Sequence, residues 1–383
     1  MMMTDRERFV ATMHYQPRDR APICDFGFWP ETIVEWHKQG LPRNVTFERD
    51  YNAIHTDAFF GMDAYSGGPG VSVMLRPPFE VKVIEDRGDH EIIQQADGVR
   101  VLRKKYMSSI PHHVSHLLTD RESWRKYYKP RLDPDNPDRY PTDWEKVLAV
   151  WKDTKRPHPV VLNGGSLFGW IRDWMGLENV AMVIYDDPAW FEEMVTTIAD
   201  CVVTVLGRAF EKGGVIDAIS FWEDMCYNAG PLISPEHFRR FLLPQYQRIT
   251  GLARRYGVDV AWVDCDGCID ALIPLWLEGG VNCMFPVEVG TWGGDPVRYR
   301  KQYGKQLLMM GGFDKRILAR GRRDIEKEVD RLTPLVEEGG YIGFCDHRVP
   351  PDVPLANYMH YLRCVRERWG KGINLKPMGE AAM

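Results

Sequence analysis

The stretch Asp259-Val-Ala-Trp-Val-Asp-Cys-Asp-Gly-Cys268 decides how this chain is read. Residues 258–263 predict a short buried strand that runs straight into a polar turn. Side chains two apart on a strand point the same way. Asp264 and Asp266 therefore aim at one spot if the extended geometry persists through Asp266. Two carboxylates placed together need a proton, a metal or a cationic partner, because like charges at close range disfavour double ionisation. A solvated Asp-Gly turn is the alternative reading of Asp266-Gly267. The recurrence of similar polar residues after several other strands favours the first.

Outward from this stretch the grammar is regular. Downstream come a helix over 269–277, a strand over 281–285, a helix over 296–303, a strand over 307–311, a helix over 323–338, a strand over 341–345 and a closing helix over 355–368. Upstream, 159–163 and 217–222 predict strands. Between them, 188–210 predicts a helix with Phe191, Met194, Val195, Ile198, Val202, Val205 and Leu206 on one stripe. Its Pro188 sits in the first turn, where a missing N–H costs nothing. Ser234-Pro235 opens another helix that runs to about residue 256. Nearer the N-terminus, 4–15 and 31–39 predict helices, 22–27 a strand ending near Asp25, and 70–76 a further strand. Counted from Ile23, about eight apolar strands alternate with helices, the pattern of a parallel sheet buried on both faces. The predicted fold is α/β, a (β/α)8 TIM barrel in a single domain over residues 1–383. No G-x-G-x-x-G follows the first strand, which weighs against a dinucleotide fold. Residues 79–106 instead alternate polar and apolar between Asp-Gly-type turns, which predicts an antiparallel β-meander inserted into the barrel.

Composition narrows the function. The 383 residues are 44% apolar and carry a formal net charge of −5, with both signs mixed along the chain and no basic block. Nucleic-acid binding is therefore not expected. No apolar run reaches the length of a membrane span, and the first residues lack the apolar core of a signal peptide. Eight scattered cysteines point to reduced thiols and a cytoplasmic location. Cys265-x-x-Cys268 is a single close pair with no second CxxC to complete a zinc knuckle.

In barrels of this kind the working residues leave the carboxyl ends of the strands. Reading those ends gives Asp25, Asn163, Glu223 with Asp224, Asp264 with Asp266, Glu288, Asp314 and Asp346-His347-Arg348. Glu223, Asp266, His347 and Arg348 are the candidate catalytic groups, as proton donors, bases or ion-pair anchors. Asp25, Phe28, Asn163, Trp222, Glu288 and Asp314 are the candidate substrate contacts. Aromatic residues are dense near the same ends and predict an apolar pocket wide enough for an aromatic or macrocyclic ligand. Two aspartates and a histidine would suit zinc or another divalent metal with one position left open.

The order Trp222-Glu-Asp-Met, Val263-Asp-Cys-Asp-Gly267, Pro286-Val-Glu, Gly311-Gly-Phe-Asp314 and Asp346-His-Arg-Val-Pro-Pro-Asp-Val-Pro-Leu-Ala-Asn357 resembles the uroporphyrinogen decarboxylase superfamily over most of residues 159–370. The resemblance implies a (β/α)8 barrel with its site at the mouth, and a homodimer as the oligomer. It also implies one of two chemistries. The decarboxylases remove acetate carboxyls from uroporphyrinogen without a cofactor; their relatives are zinc methyltransferases that pass methyl groups between a substrate and a corrinoid protein.

The chain departs from both patterns. The decarboxylases have an Arg-rich N-terminal segment that grips substrate carboxylates, whereas Cys24-Asp-Phe-Gly-Phe-Trp-Pro30 holds no arginine. Coulomb repulsion at an acidic mouth disfavours a substrate with eight carboxylates. The methyltransferases carry His-x-Cys-Gly after the fifth strand and a later Cys. These positions match Asp264-Cys-Asp-Gly267 and His347. The resemblance thus implies a metal set of Asp264, Asp266 and His347, zinc foremost, with Cys265 or Cys345 substituting if the register slips. The expected activity is a methyltransferase that acts on a small methoxy-aromatic or methylamine substrate with a partner corrinoid protein. A cofactor-independent decarboxylase of a tetrapyrrole or smaller acid is the alternative, and a non-catalytic binder the third reading.

Overall fold

Strand–helix alternation dominates the second half of the chain, and the computed structural model, which describes residues 2–46, 54–105, 111–290 and 292–380, shows how its elements group. Two compact units form. The first comprises Met1–Gly67, Lys155–Pro159 and Cys283–Met383; the second comprises Gly68–Thr154 and Val160–Asn282.

In the second unit the strands Val161–Asn163, Ala218–Trp222 and Ala261–Asp264 run parallel, with Ala218–Trp222 between the other two. Their register sets Asn163 opposite Ser220 and Asp264 opposite Trp222. The helix Pro188–Glu211 follows the first of them, capped by Asp187 and opened by Pro188. The predicted apolar stripe of this helix is buried throughout, partly against the helix Leu243–Arg255. In the first unit Cys283–Val287, Leu308–Phe313 and Tyr341–Cys345 are parallel and fully buried, with Leu308–Phe313 central. The helices Arg322–Glu338 and Leu355–Arg368 pack on one another beside them. The short, apolar, doubly buried strands are those of a parallel sheet. No helix among the described residues is long and apolar enough to cross a membrane.

The insertion is antiparallel, as its alternation predicted. Lys82–Arg87, His90–Gln94 and Arg100–Lys104 pair in order, and a fourth strand, His112–Ser115, extends the sheet beyond the expected end. Tyr106, the predicted last residue, lies outside the described residues. One face of the sheet buries Ile93, Val99 and Val101.

Two predicted strands do not form. Residues 22–27 form no ladder; just beyond them an isolated bridge joins Phe28 to Val349. Pro22 has no N–H to give, and Asp63 takes over the local bonding. Its carboxylate accepts from the Ile23 N–H at 2.9 Å, its own N–H donates to the Ile23 carbonyl at 2.7 Å, and Arg20 pairs with it from the buried side. Residues 70–76 are likewise irregular. They pair with a loop instead: Ser72 N–H donates to the Arg139 carbonyl, and Arg76 N–H to that of Arg131.

Arg139 is the clasp of that loop. Its buried guanidinium donates to the carbonyls of Asp133 (2.7 Å), Ser72 (3.0 Å), Met74 (2.6 Å) and Arg131 (2.6 Å). A charged donor that satisfies four backbone carbonyls can hold together a segment with no ladder of its own. Arg139→Ala should destabilise the second unit by roughly 3 kcal/mol. It should also speed amide exchange at Ser72 and Arg76, which can be checked by denaturant titration and hydrogen exchange. Unchanged exchange there would exclude this role.

Candidate active site

Six of the predicted acidic or amide residues do leave strand ends. Asn163 and Asp264 close their strands, and Glu223, Glu288, Asp314 and Asp346 each follow the last strand residue directly. Asp25 is the exception, since its segment is not a strand.

In the second unit, carboxylate oxygens of Asp224, Asp264 and Asp266 lie within 4.8 Å of one another. The turn that carries Asp266 is tight. Gly267 has φ +94°, and a Cβ there would come within 2.8 Å of the Cys226 backbone, so glycine is required. Asp224 itself sits in the left-handed region at φ +41°, where aspartate is among the tolerated residues. Burial pushes its pKa up to about 6; the Asp266 charge pushes the same way and Arg172 pulls back. Arg172 is the local counter-charge. It donates to the Asp224 carbonyl, lies 3.7 Å from the Asp224 carboxylate and 3.0 Å from that of Asp173, and its guanidinium faces the Trp222 ring at 5.4 Å.

Trp222 also lines a cavity of about 590 Å³ in the same unit. Asn163, Trp170 and Trp174 form its other strand-end and helix walls. Gln95, Ala96 and Asp97 from a turn of the insertion, and Met74 to Arg76 from the segment clasped by Arg139, close it from the other side. Asn163 also caps its own turn, its Oδ1 accepting from Gly165 N–H at 2.7 Å.

Glu223, predicted as catalytic, is enclosed and fully bonded. Its side chain is 0% exposed. The carboxylate accepts from Tyr246 OH (2.6 Å), Ser166 OH (3.1 Å) and the N–H groups of Leu167 (2.8 Å), Phe168 (2.9 Å) and Gly169 (3.0 Å). Every lone pair is engaged at the start of the helix Gly169–Met175. Burial pushes its pKa up, and these donors offset part of that. It is a positioning residue.

The first unit holds the remaining candidates. Asp25 accepts from Tyr358 OH at 2.6 Å and Phe26 N–H at 2.8 Å, and burial pushes its pKa up to about 7. His347 meets Phe26 edge-on at 5.4 Å and lies over Trp29 at 5.7 Å; one of its ring nitrogens is within 4.8 Å of a Glu288 oxygen. The Arg348 guanidinium lies 5.6 Å from each of the Phe26 and Trp29 rings. Glu288 is 3.5 Å from Lys315, which also approaches Asp346 at 3.9 Å. Asp346 is buried and accepts from the N–H groups of Val289, Gly290 and Lys315. Lys315 carries no periodic signal and was not foreseen.

Two further candidates have fold contacts of their own. Phe28 is 3% exposed and packs on Trp36, Phe60 and Tyr358 in the core. Asp314 caps the helix Lys315–Arg320 through Arg316 N–H and pairs with the Arg316 side chain at 3.0 Å.

The carboxylates of the second unit supply oxygen donors only, which suits a hard divalent cation. The thiolate that zinc commonly recruits is not among them. Cys265 and Cys345, the substitutes for a slipped register, are buried, and burial holds both thiols well above their ordinary pKa. Cys265 Sγ is directed at the Asp266 carbonyl, 3.5 Å away. The set predicted from sequence draws Asp264 and Asp266 from one unit and His347 from the other.

Glu223→Ala should cost about 3–5 kcal/mol, because it strands several buried N–H and O–H donors at once. Glu223→Gln should cost less, as the amide keeps one acceptor. Equal stability of wild type and E223A in urea would rule the anchoring role out. Asp25 gives a pH signature. Its native pKa lies above the unfolded value, so the native state holds the extra proton between about pH 4 and 7 and stability falls as pH rises through that window. Asp25→Asn should flatten this fall. Parallel melting-temperature profiles for the two proteins from pH 4 to 8 would exclude a raised Asp25.

Comparison with known proteins bears on this arrangement. Residues 108–368 match the family described as Uroporphyrinogen decarboxylase (URO-D). Curated relatives include the uroporphyrinogen decarboxylases of Sphingopyxis alaskensis, 23% identical over 202 residues, and of Maricaulis maris, 26% identical over 186 residues. Each match covers 48% of this chain and 51% of the relative, so the chain spans about half the length of the curated relatives it matches. Among solved structures, a methyltransferase from Methanosarcina mazei superposes with a TM-score of 0.57 at 14% identity, over 95% of this chain and 98% of that one. That likeness is one of fold. With its family match running through the strand ends that carry the carboxylates, the chain belongs to the uroporphyrinogen decarboxylase family.

Proposed function

We propose that this protein is a methyltransferase of the uroporphyrinogen decarboxylase family that takes a methyl group from a small aromatic ether or methylamine and delivers it to a partner corrinoid protein. The parallel strands are read as parts of the closed (β/α)8 barrel that the family implies. The observation that carries the function is the tryptophan-walled cavity beside the Asp224, Asp264 and Asp266 carboxylates, joined through Arg172. Trp170, Trp174 and Trp222 would hold a flat apolar ring, and the Asn163 and Asp97 side chains would orient its polar substituent. Asp264 and Asp266 would hold a divalent cation. When bound, such an ion supplies Lewis-acid polarisation of the substrate heteroatom. Asp224, with a pKa near 6, would hand a proton to the departing oxygen or nitrogen. Arg172 would keep that carboxyl in place. The sharing of the Methanosarcina methyltransferase's fold is in keeping with this reading.

One observation favours a second reading. Asp25, with its pKa near 7, adjoins Phe26, on which His347 and Arg348 also pack. Arg348 or His347 could hold a carboxylate while Asp25 protonates the carbanion left by carbon dioxide. The names of the curated relatives point the same way.

The two readings separate in one experiment. Purified protein is incubated with methoxylated aromatics or methylamines and free cob(I)alamin, and in parallel with aromatic and tetrapyrrole acids in deuterated buffer. Methyl transfer to cobalt is expected, with bound divalent metal. Asp266→Asn should lower both metal content and rate, the rate by about 100-fold or more. Carbon dioxide release with deuterium in the product, and no methyl transfer, would replace the first reading with the second.

A further inference from the structure

Another metal-competent cluster lies in the first unit, on the two packed helices. His360 and Cys364 are four residues apart on Leu355–Arg368 and so share one face. Glu326 faces them from Arg322–Glu338. The His360 Nε2 atom lies 2.9 Å from a Glu326 carboxylate oxygen and 3.4 Å from Cys364 Sγ. All three donor atoms are within 4.8 Å of one another.

One nitrogen thus serves two partners. If Nε2 carries a proton, its one N–H is divided between the Glu326 oxygen and the Cys364 sulfur, a weak acceptor. If Nε2 is bare, it accepts from the thiol but presents its lone pair to a carboxylate oxygen. A cation placed among the three atoms meets all of them at once. The spacing agrees with this. Tetrahedral zinc with ordinary bond lengths sets N and S ligands roughly 3.5 Å apart and N and O ligands roughly 3.3 Å apart. The observed separations differ from those values by a few tenths of an ångström, within the reach of a rotamer adjustment at Glu326.

We propose that Glu326, His360 and Cys364 form a zinc site that ties the helix Arg322–Glu338 to the helix Leu355–Arg368, with the fourth position open to water. The donor set of one N, one S and one O is borderline-soft, which favours zinc over magnesium or calcium. Binding displaces the Cys364 thiol proton to solvent, so affinity falls at acid pH. The neighbouring cation Arg368 pairs with Asp330 and also reaches the Cys364 thiol, a contact that an incoming ion would replace. Cys364 is 3% exposed while His360 and Glu326 reach solvent, so an ion enters from the outer face and finds the sulfur at the bottom. Its role is to clamp the two helices. The site is independent of the carboxylates proposed for catalysis.

The test uses the full chain, stripped with a chelator and titrated with Co²⁺ as a spectroscopic probe for zinc. An Asp266→Asn background removes binding at the other cluster. One equivalent should give a thiolate-to-cobalt charge-transfer band that Zn²⁺ abolishes by displacement. Cys364→Ser should lose the band, and His360→Ala should weaken Co²⁺ binding by at least about tenfold, since even outer-shell changes cost that much. In the Asp266→Asn background, Zn²⁺ should raise the melting temperature of the chain with Cys364 and leave that of Cys364→Ser unchanged. Circular dichroism confirms that each variant is folded. Absence of the band in the parent protein, or its survival in Cys364→Ser, would overturn the proposal.

Discussion

Five donors converge on the buried carboxylate of Glu223, and the working part of the second unit depends on that convergence. The helix Gly169–Met175 has seven residues, too few to persist alone. Its orphan N–H groups at Phe168 and Gly169, together with that of Leu167, point at Glu223. A negative charge at a helix start is where the backbone dipoles favour it. Tyr246 locks the same carboxylate from the helix Leu243–Arg255, and Ser166 does so from the turn. Trp170, Arg172, Asp173 and Trp174 then stand on a fixed helix. The contact is close enough that a Cβ at Gly169 would fall 2.4 Å from the Glu223 carbonyl oxygen.

The same anchor explains the chemistry of its neighbour. With Glu223 turned inward, the next side chain, Asp224, faces Asp264 and Asp266. Like charges and burial raise its pKa while Arg172 restrains the rise. The chain carries a modest net charge, so the crowding is local. It is created by strand ends that each contribute a carboxylate to one small volume.

Strand exits were legible because short apolar runs between helical stripes leave few ways to place the chain, and the residues after those runs are fixed by position alone. Orientation was less legible. Glu223 and Asp224 are adjacent, and position at a strand end does not say which one turns inward. The alternation of side chains was the available signal: Trp222 and Asp224 share a direction that Glu223 does not. Nor does position show that Phe28 packs in the core and that Asp314 caps the helix Lys315–Arg320. Residues 22–27 and 70–76 look like strands by composition, yet Asp63 and Arg139 provide hydrogen bonds that no local pattern reveals. Arg172, Lys315, Trp174 and Arg76 enter from helices and loops, where burial depends on long-range packing and leaves no period.

The cavity has two kinds of wall, and they are built by different rules. Asn163 and Trp222 belong to the parallel strands, where backbone bonds are shared with a neighbouring strand. Gln95 to Asp97 sit on a turn between antiparallel strands whose outermost member, Lys82–Arg87, is solvent-exposed along its whole length. A turn of this sort can lengthen, shorten or change its residues without disturbing the ladder behind it. The cavity wall built by the hairpin can therefore change its residues with little effect on the fold, while the carboxylates that follow Trp222 and Val263 stay under the constraint of the sheet.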